Sequence, residues 1–301
     1  MRSRTSSARS LSRRVGLGLT TAGAAALVLS GCSSSGGNSS SSDRAGGALA
    51  VEHVHGVGID PSDGRLYVAT HHGVVAVAQD GTARRVGDTA DYMGFTVIGP
   101  KTFLGSGHPA QGSGDAADRG LIRSADGGRT WKTLSLGGST DFHALAYAHD
   151  AVYGWDSTRG TLRVSTDHAH ATWDERARIA ALDLAVSPKD ADVVLATTEA
   201  GVATSTDGGK TFGPGSGQVM AYLSWPAADA LYGVDLSGGL HVSADGGAHW
   251  RRTGTVPGGQ PEALTAYTGG RVLAATQDGV YDSRDGGRTF VKRLAVSSAA
   301  G

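Results

Sequence analysis

The stretch Ser124-Ala125-Asp126-Gly127-Gly128-Arg129-Thr130-Trp131 returns at 205–212, 243–250 and 283–290, and a worn copy, Ser165-Thr166-Asp167 with Trp173, fills the gap. The copies start at 124, 165, 205, 243 and 283, so the intervals are 41, 40, 38 and 40. So regular a period restricts the chain to stacked or radially repeated units. Each copy reads as a turn. The Asp carboxylate is expected to accept from backbone N–H groups one or two residues on, and the Gly pair to supply positive φ. Ser and Thr brace the turn through their hydroxyls. The closing Trp or Phe supplies a large apolar anchor between adjacent sheets.

The body of the chain, 51–296, is about 246 residues, or six units of roughly 40. With 47 glycines in 301 residues and short alternating apolar runs, tight turns between strands are expected, and no stretch shows helical spacing. The prediction is an all-β, six-bladed β-propeller of four-stranded blades. The blades are read as 51–86, 88–134, 141–178, 179–213, 218–254 and 261–296, with an insertion at 109–119. In blade 1 the strands are expected near 54–60, 66–70, 74–78 and 83–86. One blade alone leaves two apolar faces bare; only the ring buries both.

The pattern S-x-D-G-G-x-T-[WF] resembles the Asp-box, or BNR repeat, of sialidases and related β-propellers. That resemblance implies a hairpin turn on the outer rim, away from the active site. Asp126, Asp207, Asp245 and Asp285 are accordingly expected to hold structure. The catalytic set of sialidases is not matched: there is no Arg-Ile-Pro motif, and Arg residues fall in the boxes (Arg129, Arg288) or outer strands (Arg84, Arg85, Arg251, Arg252). The segments HVHG, THHG, MGFT, SGHP and DFHAL are similar to those of bacterial lipoproteins labelled glycosyl hydrolases for their repeats.

The N-terminus carries Arg2, Arg4, Arg9, Arg13 and Arg14, then an apolar run from 15 to 29, too short for a comfortable membrane span. It ends in Leu29-Ser30-Gly31-Cys32, which resembles the bacterial lipobox. The expected organisation is a lipoprotein signal peptide (1–31), a Ser/Gly-rich tether (32–48) from a lipidated Cys32, and the propeller (49–301). The protein would then sit on the extracytoplasmic face of the cell membrane, held by its lipid, as a monomer. Cys32 is the only cysteine, so no disulfide forms within the chain. Removing 1–31 takes five Arg and no acid from 27 basic and 28 acidic residues, leaving 22 against 28 and a net charge of −6. With no Lys/Arg cluster left, nucleic acid is not an expected partner.

In a propeller, first-strand starts and the turns between second and third strands share one face. Six of the eleven histidines fall there: His53, His55, His71, His72, His108 and His143. Aligning first strands puts His55, Met93, His143 and Glu262 at one position, with Leu182 and the Ser224/Trp225 region as counterparts in blades 4 and 5. Two residues earlier stand His53, Asp91, Asp141 and Gln260. Alternate residues of a strand share a face, so His53 and His55 should point the same way. His53, His55, His72, His108, His143 and Met93 are therefore the candidate metal ligands. His with Met suits soft or borderline metals, and His with carboxylate suits zinc or iron, so the mouth is expected to bind either a small ligand or a transition-metal ion, copper, zinc or iron. The competing expectation is a sialidase-like glycoside hydrolase acting on extracellular glycans. Its carboxylate pair would come from Asp91, Asp141, Asp183 and Glu262, the first-strand acids.

Overall fold

A computed structural model describes residues 49, 51–215 and 217–297. The expected signal peptide, lipidated Cys32 and tether lie outside the described residues. Those described contain strands and turns and no helix, so none that could cross a membrane.

Twenty-three strands form six antiparallel sheets, each from consecutive strands. Blade 1 is β1 (Val54–Ile59), β2 (Leu66–Thr70), β3 (Gly73–Val77) and β4 (Ala83–Val86). Blade 2 is β5 (Asp91–Gly99), β6 (Thr102–His108), β7 (Leu121–Ser124) and β8 (Lys132–Ser135). Blade 3 is β9 (Phe142–Ala148), β10 (Ala151–Asp156), β11 (Thr161–Ser165) and β12 (Asp174–Arg178). Blade 4 is β13 (Leu184–Val186), β14 (Val194–Thr198) and β15 (Gly201–Ser205). Blade 5 is β16 (Met220–Ala227), β17 (Ala230–Asp235), β18 (Gly239–Ser243) and β19 (Arg251–Thr255). Blade 6 is β20 (Pro261–Tyr267), β21 (Arg271–Thr276), β22 (Gly279–Ser283) and β23 (Val291–Ala295).

The six-bladed propeller is as the period predicts. Blade 4 alone has three paired strands. Where its outer strand would run stands Phe212-Gly213-Pro214-Gly215. Gly213 N still donates to Thr204 O at 2.9 Å, but Pro214 has no N–H to extend the ladder.

The core is divided among the seams. Among the described residues each pair of neighbouring blades encloses one apolar cluster. Between blades 1 and 2 it contains Tyr67, Val74, Tyr92 and Phe103; between 2 and 3, Leu104, Leu121, Phe142 and Val152. The seam between blades 6 and 1 is built the same way, from Leu273, Ala275 and Val280 against Val57, Leu66 and Val68. No strand is exchanged there; Thr265 Oγ1 donates to Val57 O (2.7 Å) and Ser297 N to Val51 O (2.9 Å).

The repeated turns are closed hydrogen-bond networks. Ser124 Oγ accepts from Gly128 N (2.8 Å) and donates to Asp126 Oδ1 (2.9 Å). Asp126 Oδ1 accepts from Arg129 N and Thr130 N, both at 3.0 Å, and Oδ2 from Thr130 Oγ1 (2.7 Å). The carboxylate thus reaches three and four residues on, rather than one or two. Gly127 and Gly128, at φ 77° and 82°, curl the chain back over it. The ring of Trp131 then packs on Tyr92, 5.0 Å between centroids, in the seam between blades 1 and 2. Gly127 N donates to Lys101 O in the β5–β6 turn, so these turns share the face away from the first-strand starts.

Candidate functional site

Every first strand is irregular at one register position. In blade 1, Val54 pairs with Thr70 and Gly56 with Ala69, leaving His55 as the extra residue. The same slip leaves Met93 in blade 2, His143 in blade 3, Ala221 in blade 5 and Glu262 in blade 6. In blade 4, Leu182 N donates to Thr197 O while Leu184 pairs with Ala196, so Asp183 is the extra residue. A bulge re-aims its side chain, and six bulges at one level make a ring of re-aimed residues. The counterparts in blades 4 and 5 are therefore Asp183 and Ala221, and the expected Leu182 and Ser224/Trp225 are corrected. Leu182 instead stands 49% exposed.

On the blade 1–2 side the ring carries a compact donor set. His55 Nε2 lies 3.4 Å from His71 Nδ1, which lies 2.9 Å from Asp91 Oδ2. One atom from each of His55, His71 and Asp91 falls within 4.8 Å of the others. Ligand atoms ~2.0–2.1 Å from one zinc stand about 3.3 Å apart, so this set needs little movement to enclose an ion. Burial, aided by neighbouring His71, pushes the His55 imidazole down to about 4, which keeps it neutral at neutral pH as a ligand must be. Asp91 Oδ1 is buried with no hydrogen-bond partner. Gly107, at φ 136°, lets β6 press against this carboxylate's backbone: a Cβ there would lie 2.1 Å from Asp91 O.

His71 joins this set, and His72, the expected ligand, does not. His72 is exposed, its N–H bonded to Thr70 Oγ1. His71 continues the face of Tyr67 and Ala69, which pack toward blade 2 where Asp91 stands. That alternation was readable in the sequence. His53, at φ 45°, meets the same ring edge-on, 5.2 Å between centroids, and its Nδ1 lies 3.7 Å from Glu262 Oε1. His53 and His55 thus both meet His71, although the bulge breaks the alternation between them.

On the blade 2–3 side, Asp141 Oδ2 lies 2.6 Å from His143 Nε2 and 3.5 Å from His108 Nε2. Ser157 Oγ also donates to Asp141 Oδ2 (3.3 Å), and Asp141 Oδ1 is buried without a partner. Burial opposes protonation of His108, but Ala117 O, Asp141, Asp91 and Asp118 hold its pKa above the ordinary value. Met93 sits half-buried on its bulge between the two sets.

The other carboxylates have separate places. Glu262 Oε2 accepts from Val54 N (3.0 Å) across the blade 6–1 seam. Asp183 Oδ2 accepts from Leu223 N (2.8 Å), and burial pushes its carboxyl up to about 7. Tyr222 is half-buried near both acids, and desolvation with their negative charge keeps its phenol protonated well above the ordinary range. Asp183 and Tyr222 line a channel cavity of about 450 Å³ with His55, His143, Leu145 and Trp225. No Lys or Arg is among the residues lining it.

No family model matches the chain, and no curated protein does. Solved structures share the fold. An ancestral GH74 enzyme is 15% identical with a TM-score of 0.53, over 77% of this chain and 36% of its own. The GH74 xyloglucanase from Xanthomonas campestris is 17% identical with a TM-score of 0.51, over 80% and 45%. A gluconolactonase-like protein is 12% identical with a TM-score of 0.59, over 82% and 91%. The chain thus spans less than half the length of either GH74 protein. At these identities the likeness is one of β-propeller fold.

Proposed function

We propose that this chain is a lipid-anchored, extracytoplasmic propeller of the Asp-box type that binds a transition-metal ion at its channel mouth. The observation that carries the reading is the His55–His71–Asp91 set, with its short spacings and the unpartnered Asp91 Oδ1 beside it. Two imidazoles and a carboxylate suit zinc or iron and are also compatible with copper. Three protein ligands leave a fourth position for water or a small ligand from the channel. The test is calorimetric titration of zinc and copper into the wild type, His71→Ala and His72→Ala. Binding at this set should be lost in His71→Ala and kept in His72→Ala; equal heats in all three would refute the site. The anchor is tested separately: Cys32→Ser should move the protein out of the membrane fraction.

A second reading has one observation in its favour. Asp183, with a pKa near 7, faces a channel wide enough for a small organic ligand, as a general acid would. In a glycoside hydrolase Asp183 would be that acid and Glu262 its partner. Loss of hydrolysis in Asp183→Ala, in a screen of neutral glycosides, would select this reading.

A further inference from the structure

Asp183 has no counter-charge. Of the four first-strand acids, three have an imidazole within ion-pair distance: Asp91 has His71 (2.9 Å), Asp141 has His143 (2.6 Å) and Glu262 has His53 (3.7 Å). Among the described residues Asp183 has only backbone donors, Leu223 N and Leu184 N. It is half-buried and lines the channel cavity, whose volume of about 450 Å³ falls within the ~300–1,000 Å³ typical of small-molecule sites. The wall beside it is aromatic. The bulges of blades 1, 2, 3 and 6 are followed by Gly56, Gly94, Ala144 and Ala263, but that of blade 5 is followed by Tyr222. The charge of Asp183 reaches the Tyr222 phenol, and Trp225, on the same strand, lines the cavity together with Tyr147. The lining has no Lys or Arg, and burial keeps His55 neutral there.

We infer that the channel binds a small organic cation, its ammonium group beside Asp183 and its body against the aromatic wall. An anion would meet the Asp183 carboxylate with no Lys or Arg in the lining to hold it. A neutral ligand would dry the channel around an unpaired carboxylate, at a desolvation cost. A cation supplies the missing counter-charge, and the faces of Tyr and Trp rings attract it as well. Desolvation pushes the Asp183 carboxyl up to about 7, and a cation beside it favours the ionised form, so binding and ionisation reinforce each other. Blade 4 stands opposite blade 1 in a ring of six, so this site is separate from the His55–His71–Asp91 set and does not rest on the metal reading.

The test is calorimetric titration of the full-length chain, stripped of metal with a chelator, at about pH 8, above the Asp183 pKa of about 7. The probes are choline, its uncharged carbon isostere dimethylbutanol and the anion dimethylbutanoate, three ligands of one shape and three charges. Choline should bind about tenfold or more tightly than dimethylbutanol, and dimethylbutanoate should not bind. Asp183→Asn keeps an acceptor for Leu223 N, so it should fold, which thermal unfolding checks. It should bind choline about tenfold more weakly and dimethylbutanol as the wild type does. No saturable choline binding, equal affinity for choline and dimethylbutanol, tighter binding of dimethylbutanoate, or choline affinity unchanged in Asp183→Asn would each overturn the inference. Zinc titration of the same preparation keeps the two sites apart: choline binding without zinc binding overturns the metal site alone, and zinc binding without choline binding overturns the cation site alone.

Discussion

Asp183 is the only acid lining the channel cavity among the described residues, and desolvation of its half-buried carboxyl pushes the pKa up to about 7 from 3.8. Between those values the folded chain holds a proton that the unfolded chain has released, so stability falls as pH rises from about 4 through 7. Asp183→Asn should remove that slope. Its gain over the wild type at pH 8 should be on the order of 2 kcal/mol, discounted because the side chain keeps some solvent, and should vanish near pH 4. Urea unfolding at both pH values checks it. The residue scale is also where sequence reading stopped short. The imidazoles of the mouth were legible because first strands align on their apolar pairs. His71 was not chosen over His72, although two-residue alternation from Tyr67 and Ala69 favours it. Asp183 was missed as a ring member because β13 is only three residues long, too short to anchor an alignment.

Among the elements, the repeated turns are the most self-contained. Ser205 is 1% exposed, and its Oγ accepts from the buried Gly209 N at 2.8 Å. Ser205→Ala leaves that N–H unsatisfied and should cost about 1–3 kcal/mol in denaturant unfolding, with metal binding unchanged. The bond from Thr211 Oγ1, with others, holds the Asp207 carboxyl far below its usual range. Its stabilising effect is therefore present above pH ~4 and lost as pH falls through the depressed value. Asp207→Ala should lower the melting temperature at pH 7 and by less at pH 3. The turns were legible because Asp, Gly-Gly and Thr each answer a local need. The bulges were not, because an extra residue in a ladder is fixed by cross-strand hydrogen bonds, and spacing carries no trace of them.

At the scale of the whole molecule, the period of about 40 dictated the ring and its blade boundaries, since each boundary falls between copies of one local unit. How the ring shuts was not written in any motif. Blade 6 meets blade 1 through side chains and a few hydrogen bonds. Arg293, for one, bonds Asp282 Oδ2 (3.1 Å) on its own blade and Ala78 O (3.2 Å) across the seam. Arg293→Ala should destabilise by about 1–3 kcal/mol, because it uncovers Asp282 and one carbonyl together; thermal unfolding checks this. A seam without strand exchange has a further meaning. Since every blade is one unbroken run of chain, the order in which the blades are synthesised is incidental to the ring they make. Val51 and Ser297 already share a hydrogen bond, so a short linker could join them while the chain is cut in the exposed Pro257-Gly258-Gly259 turn. Such a circular permutant would begin with blade 6 and end with blade 5, split no sheet, and keep the donor set at the mouth.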